Sequence, residues 1–307
     1  MAEAAARLPV TVVVIAFDEA IHIARCLDRL VPYVERVVVV DSFSRDDTAA
    51  IARAHGAEVL QHAFTTHAAQ VNWAIEAAAA TTPWTMRVDA DEYFEDGALA
   101  ALGAMLAAQP GEVTGVTLRR KFVFRGRWIR HGRYYPVVLL RCWRTGAAVC
   151  EQRFMDEHMV LVSGRTAAFE GGDLVDHNLN DLDHWTAKHN RYATLAMADA
   201  VVREYGLAAD DDRVAATGGA ARRNRALKHG VYGRAPLYLR AVLLYVYRYV
   251  FRLGFVDGKV GFLFHTLHGL WLHLLIDAKI DEAREIIRRD GLDAFRERLA
   301  ERHGIRL

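Results

Sequence analysis

Two aspartates one residue apart are the first feature of the sequence that could bind a metal ion. Asp89 and Asp91 flank Ala90 directly after Trp84 to Val88, a run typical of a buried strand. Alternate residues of an extended chain point the same way, so both carboxylates can reach one site. Mg²⁺ and Mn²⁺ prefer carboxylate and phosphate oxygens, so the pair could hold a cation that bridges to a diphosphate. A solvated acidic turn is the alternative interpretation, because Asp-x-Asp also arises by chance.

Two further acidic groups follow strand-like runs earlier in the chain. Asp18 and Glu19 follow Val10 to Ala16, and the segment 41–48 (DSFSRDDT) follows Arg36 to Val40. Another strand is predicted at Ala57 to Leu60, and helices at 21–30, 49–55 and 68–80. This alternation predicts an α/β fold with a mostly parallel sheet and helices on both faces. Ligands of such sheets bind beyond the carboxyl ends of the strands, so we expect the acidic groups at one edge.

Four motifs in order carry a family resemblance. They are VVVIAFDEA, VVVVDSFSRDDT, QVNWAIEAA and MRVDADEYF. Together they resemble the family 2 inverting glycosyltransferases, and most of all the branch with lipopolysaccharide-core and exopolysaccharide glucosyltransferases, over residues 10–205. The resemblance implies a GT-A fold, which is a Rossmann-like sheet with flanking helices. It also implies metal-assisted transfer of a hexose, with Mn²⁺ or Mg²⁺, from a nucleotide diphosphate sugar whose leading candidate is a UDP-hexose.

The resemblance also assigns roles to residues of these motifs. Asp41 is expected to contact the base or ribose, Asp89 the ribose or the metal, and Asp91 the metal directly. Phe43 stands where glycine is common, which leaves the identity of the nucleotide open. The complete set of nucleotide-binding candidates in this part of the chain is Asp18, Glu19, Asp41, Gln70, Asn72, Arg87 and Asp89.

An inverting transfer also needs a base that takes the proton of the acceptor hydroxyl. Asp156 and Glu157 are adjacent carboxylates, and a short apolar-x-Glu motif of the resembling branch maps onto Glu157. We therefore favour Glu157 over Asp156. An exposed acidic pair at the end of a strand is the alternative interpretation.

Candidates for the remaining contacts follow in the sequence. His177 is the third predicted metal ligand, by resemblance to GT-A enzymes that complete the metal shell with a histidine, while a capping or core histidine explains it equally well. Lys188 lies in a K-x-x-x-Y-A stretch and could contact the diphosphate, or belong to a solvated face of the helix predicted over 182–205.

A basic segment and a helical C-terminal region suggest where the acceptor comes from. Seven cations interleaved with aromatic residues lie within the strand-like run at 116–124 and after it, before the next such run at 136–143: Arg119, Arg120, Lys121, Arg125, Arg127, Arg130 and Arg133. They suit an anionic, lipid-linked or lipopolysaccharide glycan, although a charged strand face would look the same. Pro236 to Leu253 predicts a helix with Arg240, Arg248 and Arg252 beside a broad apolar face, which fits a membrane interface. Packing on the domain or a homodimer interface are the alternatives.

Composition limits the classes of protein that remain. The chain has 307 residues, 52% hydrophobic and 25% charged, which is enough for a large core. A formal net charge of +1 argues against nucleic acid as the main partner. Three cysteines without metal-ligand spacing and the lack of an apolar leader predict buried thiols and a cytoplasmic protein, peripheral on the inner face of the membrane.

We divide the chain by expected function into residues 1–112 for the nucleotide sugar, 113–209 for the acceptor and catalysis, and 210–307 as the helical extension. The first strand is followed by no G-x-G-x-x-G, and the chain has no G-x-x-x-x-G-K-[ST], which disfavours dinucleotide-binding and P-loop proteins. A retaining transferase or a nucleotidyltransferase is the rival among enzymes. A non-catalytic sugar-nucleotide-binding or membrane-scaffold protein is the alternative outside them.

Overall fold

The structure, a computed structural model, describes residues 7–151, 157–207 and 235–307. The chain forms two compact units that meet in sequence between Leu179 and Asn180. The division of the chain into three functional regions, which was made from the sequence, is independent of these two units and stays a prediction. All three cysteines are buried and free, as expected.

The first unit is built around a nine-stranded sheet. Its strands are β1 (Leu8–Ala16), β2 (Val34–Asp41), β3 (Glu58–Gln61), β4 (Trp84–Asp89), β5 (Glu92–Phe94), β6 (Val113–Phe124), β7 (Arg127–Trp128), β8 (Val137–Arg144) and β11 (Arg165–His177). A separate pair consists of β9 (Ala148–Cys150) and β10 (Met159–Leu161). The helices are α1 (Ile23–Asp28), α2 (Thr48–Ala54), α3 (His67–Ala77) and α4 (Ala98–Ala107).

The predicted parallel strands lie side by side in the order β3-β2-β1-β4. Their registers pair Ala16 with Asp41, Ile15 with Asp89 and Asp41 with Gln61. The carboxyl ends of the four strands are therefore level, which confirms that the acidic groups share one edge. Beyond β4 the sheet is mixed: β8 runs antiparallel to β4 and β6, β6 and β11 are parallel, and β5 is antiparallel to β11.

The continuous valine run of β1 is buried on both faces of the sheet. Val10, Val12 and Val14 belong to one hydrophobic cluster with residues of α1 and α4. Val13 belongs to a second cluster, on the other face, with Ala74 of α3. Each such side chain contributes about 1.5–3 kcal/mol by burial, so the run specifies a central strand.

The first residues of two helices differ slightly from the predicted ones, and local interactions explain where each helix begins. Helix α1 begins at Ile23 rather than at Ile21, because residues 17–22 form the turn that carries the acidic pair. Helix α3 begins at His67, because the Thr66 hydroxyl accepts a hydrogen bond from the Ala69 N–H (3.1 Å) and caps the helix.

The second unit is helical within its described residues, 180–207 and 235–307, as predicted. It contains α5 (Leu182–Glu204), α6 (Leu239–Val246) with a π-helical turn Tyr247–Phe251, a 3₁₀ turn Gly254–Asp257, α7 (Gly258–Phe264), a π-helical segment His265–Trp271, α8 (Leu272–Asp290) and α9 (Leu292–His303). A cluster including Met197, Val201, Ile280, Ile287 and Phe295 forms its core.

The arginine stripe predicted for Pro236 to Leu253 needs one correction. Arg240 is not on the outer face, because its guanidinium pairs with the buried Asp277 of α8 (Nε to Oδ1, 2.8 Å). The segment Gly254–Asp290 is long and apolar enough to cross a membrane by length and composition alone, and 33% of its most apolar window is buried within the protein.

Candidate active site

Asp89 ends β4 between two arginines. Arg87, two residues earlier on the same face of the strand, donates from Nε and Nη2 to Asp89 Oδ1 (3.0 and 2.8 Å). Arg141 of β8 donates from Nη2 to Asp89 Oδ2 (3.1 Å) and to Glu92 Oε1 (2.6 Å). Glu92 Oε2 in turn accepts from the Asp89 N–H (2.9 Å). Both oxygens of Asp89 are thus engaged by guanidinium groups.

The charges of this group are balanced within the sheet. Burial by itself would raise the pKa of Asp89, but Arg141 and Arg87 hold it well below its usual value. Burial also raises the pKa of Glu92, and Arg141 opposes that shift. Sequence reasoning missed Arg141, although an arginine inside the apolar run VVLLRCW is an available signal of a buried ion pair.

Asp91 lies two residues beyond the strand and meets the end of β11. The His177 N–H donates to the Asp91 carbonyl (3.1 Å), and Asn178 Nδ2 donates to Asp91 Oδ2 (3.1 Å). Arg25 of α1 donates from Nη2 to the carbonyls of Asp91 (3.2 Å) and His177 (2.6 Å). The structure therefore brings two of the predicted metal ligands, Asp91 and His177, to one place.

The ring of His177 is in a form that can bind a metal. Arg25 Nη1 lies 3.3 Å from His177 Nδ1, and a guanidinium only donates, so Nδ1 carries the lone pair. Burial, and then the charge of Arg25, lowers the pKa of His177, which keeps the ring neutral at pH 7. A cation bound at Nδ1 would occupy the position that Arg25 Nη1 holds in this structure.

The donor set fits a hard cation that shares its shell with a diphosphate. No cluster of three or more histidine, cysteine or acidic side chains with metal-binding geometry occurs among the described residues. Asp91 and His177 supply one carboxylate and one imidazole, whereas Asp89 is occupied by arginines. Mg²⁺ and Mn²⁺ commonly complete their shells with phosphate and water, so two protein ligands suffice.

The turn after β2 is shaped by buried side chains. Asp41 is 0% exposed and accepts from the Ser44 N–H (3.2 Å) and from Gln61 Nε2 (3.1 Å). Gln70 is also buried and donates to Ser42 Oγ (3.0 Å). Between them Phe43 has a φ of +59°, a left-handed conformation that glycine adopts without strain. This explains why glycine is common at that position in the resembling family.

The acidic pair after β1 is engaged by its neighbours. Asp18 accepts from the Arg45 N–H (2.8 Å) and pairs with its guanidinium (2.6 Å). Glu19 Oε2 lies 2.5 Å from His22 Nδ1, and His22 Nε2 accepts from the Leu179 N–H (2.8 Å). These contacts order the turn at the edge of the sheet.

Asn72 connects α3 to β9. Its Nδ2 donates to the Cys150 carbonyl (2.9 Å), and its Oδ1 accepts from the Cys150 N–H (2.8 Å). Both halves of the amide are therefore used within the protein. Its predicted proximity to the nucleotide stays a prediction.

Glu157 lies against the first residue of α3. Its Oε1 is 2.6 Å from His67 Nδ1, and the side chain is only 13% exposed. His67 Nε2 lies 3.0 Å from Arg87 Nη2, so one histidine connects Glu157 with the arginine that binds Asp89. The alternative base, Asp156, lies outside the described residues.

The seven cations of the basic segment fall into two groups. Three on β6 are neutralised: Arg119 pairs with Asp173 (3.0 Å), Arg120 with Asp176 (3.3 Å) and Lys121 with Glu95 (2.7 Å). The other four, in and after the β6–β7 hairpin, are exposed and have no carboxylate partner among the described residues: Arg125, Arg127, Arg130 and Arg133. Arg130 stacks on Trp128 (4.4 Å to the ring centroid).

Lys188 belongs to α5, in the second unit. Its Nζ lies 5.9 Å from the centre of the Tyr192 ring, one turn further along the helix. The two side chains share a face as predicted, while the contact with a diphosphate stays a prediction.

Comparison with known proteins identifies relatives that match part of the chain. The chain is 25% identical to the lipopolysaccharide core biosynthesis glycosyltransferase LpsC of Rhizobium meliloti over 194 residues, 62% of this chain and 70% of that protein. It is 37% identical to an uncharacterized glycosyltransferase of Rickettsia felis over 79 residues, 26% of this chain and 27% of the relative. The chain thus spans about a quarter of the length of the second relative.

A solved structure of glucosyl-3-phosphoglycerate synthase from Mycobacterium tuberculosis, in complex with Mn²⁺, uridine diphosphate and glucosyl-3-phosphoglycerate, is a partial match. It is 15% identical with a TM-score of 0.42, over 62% of this chain and 79% of that one. The family model described as glycosyl transferase family 2 matches residues 11–170, which is just over half of the chain. This range contains β2 to β10 and all of β1 except its first three residues. The chain therefore belongs to glycosyl transferase family 2.

Proposed function

We propose that the chain transfers a hexose, with inversion, from a nucleotide diphosphate sugar to a lipopolysaccharide or other lipid-linked glycan. The observation that carries the proposal is the level edge where β2 and β4 end, which puts the Asp41 turn and Asp89-Ala90-Asp91 on the two sides of the end of β1. UDP is the first donor nucleotide to test, because of the branch that the motifs resemble. Phe17 and Phe43, both about half exposed at this edge, are suited to stack on a base.

The residues of the chain divide the work of an inverting displacement. A divalent cation held by Asp91 and His177 would neutralise charge on the diphosphate as it departs. Glu157 takes the proton of the acceptor hydroxyl, whose oxygen forms the new bond to the anomeric carbon. The bond from that carbon to the diphosphate oxygen breaks on the opposite face, and the nucleotide diphosphate leaves with the electron pair. Arg87 and Arg141 hold Asp89 ionised at the edge beside these groups.

The exposed hairpin arginines support an anionic acceptor. Because the cations on β6 are already paired, the unpaired charge of the basic segment is concentrated at 125–133. Trp128 has Lys121 and Arg130 over its ring (4.4 Å each to the ring centroid), which holds both cations close to this surface. Phosphorylated or acidic glycans carry the opposite charge.

A membrane-bound acceptor also agrees with the second unit. Its segment 238–262 exposes a row of large apolar side chains: Leu239, Val242, Leu243, Val246, Val250, Phe251, Phe255, Val256 and Phe262. Arg252 and Lys259 are exposed in the same segment. Apolar side chains flanked by cations suit the interface of an anionic membrane, where the enzyme would act as a peripheral protein.

Calorimetric titration with UDP, GDP and dTDP, each with and without Mn²⁺, tests the donor site. We expect one nucleotide to bind with metal dependence. Asp91→Ala should remove that metal dependence, because it deletes the only carboxylate among the proposed ligands. Glu157→Gln should keep nucleotide binding and lose transfer by about 100-fold or more, because general base catalysis contributes about 10²–10⁴-fold.

The outcomes separate the candidate functions. Folded protein that binds none of the three nucleotides would favour the membrane-scaffold alternative. Tight nucleotide binding with Glu157→Gln as active as the unmodified chain would remove Glu157 from its role. Retention of the anomeric configuration in the product would support the retaining rival.

A further inference from the structure

We propose that His67 is a positioning residue that orients Glu157 and connects it, through Arg87, to Asp89. The proposal rests on the proposed function of Glu157 as the base. It assigns a role to a side chain that none of the four sequence motifs indicates. It also gives a reason for the location of His67 at the start of α3.

The hydrogen positions on the His67 ring follow from its two neighbours. Arg87 Nη2 lies 3.0 Å from His67 Nε2, and a guanidinium can only donate, so Nε2 holds the lone pair. The proton of the neutral ring is then on Nδ1. That nitrogen lies 2.6 Å from Glu157 Oε1, a close contact whose direction falls outside hydrogen-bond geometry. One ring therefore accepts from an arginine on one side and lies directly against the base on the other.

The two residues that connect Glu157 to Asp89 are themselves held in place. Arg87 is on β4, and its Nε and Nη2 both bind Asp89 Oδ1, which fixes the guanidinium plane. His67 is held at the first position of α3 by the Thr66 cap. Glu157, by contrast, follows β9 in the chain and precedes β10 rather than lying on either strand. Its carboxylate is thus oriented by a helix and a strand to which it does not belong.

The orientation matters because a base must meet the acceptor hydroxyl within hydrogen-bonding distance. Misplacement of a reacting group by about 1 Å costs on the order of 100-fold in rate. One oxygen of Glu157 contacts His67, which leaves the other oxygen for the acceptor proton. A solely stabilising ion pair would instead lower the free energy of unfolding when removed and leave kcat of the folded protein unchanged.

Three substitutions of His67 separate its two contacts. His67→Ala removes both and should lower kcat by about 10- to 100-fold, with the Kd for nucleotide within twofold of the unmodified chain. His67→Asn places an amide N–H near the position of Nδ1 and should recover most of kcat. His67→Gln places its amide near Nε2, where it can accept from Arg87 without contacting Glu157, and should stay as slow as the alanine variant.

A double-mutant cycle with Glu157→Gln then tests whether His67 acts through the base. We expect His67→Ala to add no further loss of kcat in the Glu157→Gln background, because the group that it orients is already neutral. Equal losses in both backgrounds, or asparagine and glutamine variants of equal activity, would overturn the proposal. Full activity of Glu157→Gln alone would instead refute the proposed function, so the two failures are distinguishable.

Discussion

At the scale of single residues, the two aspartates of the D-A-D motif have different environments. Asp89 still belongs to β4, where its side chain lies between Arg87 and Arg141. Asp91 is beyond the strand, where its carboxylate contacts only an amide donor, Asn178, among the contacts that the structure defines. An amide donor leaves the charge of a carboxylate in place, so Asp91 rather than Asp89 is suited to bind a cation.

The first prediction concerns Arg141. Replacing it by methionine leaves Asp89 and Glu92 as buried carboxylates without their shared cation, so we expect the free energy of unfolding to fall by about 3–5 kcal/mol. Urea denaturation followed by circular dichroism measures this change. The control is Arg165→Met, which breaks an exposed pair with Glu112 and should leave the free energy of unfolding nearly unchanged. Equal losses in the two variants would contradict the assignment of Arg141 as the balancing charge.

The sequence predicted the site residues that lie at the ends of strands, but it did not predict the residues that contact them from distant parts of the chain. Asp41, Asp89 and Asp91 could be placed at one edge, because buried β-branched runs fix where each strand stops. Arg141 and Arg25 could not be placed, because their contacts depend on the register of β8 and the angle of α1, and neither register nor angle is encoded locally. The pairing of His67 with Glu157 has the same origin, because the two residues are 90 positions apart in the sequence.

At the scale of secondary structure, Asn72 supports the segment that leads to the candidate base. Its two hydrogen bonds to Cys150 connect α3 to the end of β9, after which the chain continues toward Glu157. The same helix carries His67 at its first turn. One helix therefore positions both the strand before the base and the side chain that contacts it.

The second prediction separates this structural role of Asn72 from direct nucleotide binding. Asn72→Ala removes a donor and an acceptor, so we expect a loss of about 1–3 kcal/mol in the free energy of unfolding and a lower kcat, with the Kd for nucleotide unchanged. Chemical denaturation, calorimetry and a transfer assay give the three values. Glu76→Ala, an exposed change on the same helix, is the control and should alter none of them. Weaker nucleotide binding at unchanged stability would instead support the role expected from the resemblance.

Secondary-structure elements that the local sequence specifies were predicted well, and features that depend on distant contacts were not. The strands of β1, β2 and β4 were predicted closely, because continuous valine-rich runs allow few other structures when buried on both faces. The seven cations of the basic segment do not form one surface, since three of them pair with carboxylates on β11 and directly after β5. Those partners are distant in sequence and belong to a part of the sheet whose strand order no local pattern specifies.

At the scale of the whole molecule, the two units differ in what they expose. The first unit carries the acidic edge and the hairpin arginines, and the second carries the apolar row of segment 238–262. Phe251, at 72%, is the most exposed large apolar side chain of the described residues. Exposed apolar surface of this extent indicates an interaction site, and either a membrane or a second copy of the chain could cover it.

The last prediction decides between these two partners. We expect the chain to float with vesicles of phosphatidylcholine and phosphatidylglycerol, and to bind less as salt is added, because Arg252 and Lys259 accompany the apolar row. Leu243→Asp combined with Phe251→Asp should weaken binding by about 100-fold, since each buried side chain contributes about 1.5–3 kcal/mol.

The control for the membrane test is Val162→Asp, which changes an exposed apolar residue of the first unit and should leave flotation unchanged. Light scattering on the same proteins tests the alternative partner. A dimer that the double substitution converts to a monomer, together with no flotation of the unmodified chain, would assign the apolar row to a homodimer. A second outcome is a monomer that floats and that transfers sugar faster to a vesicle-bound acceptor only when the apolar row is intact. This outcome would show that the apolar row contributes to the reaction, because confinement to a surface raises the effective concentration of a membrane-bound acceptor.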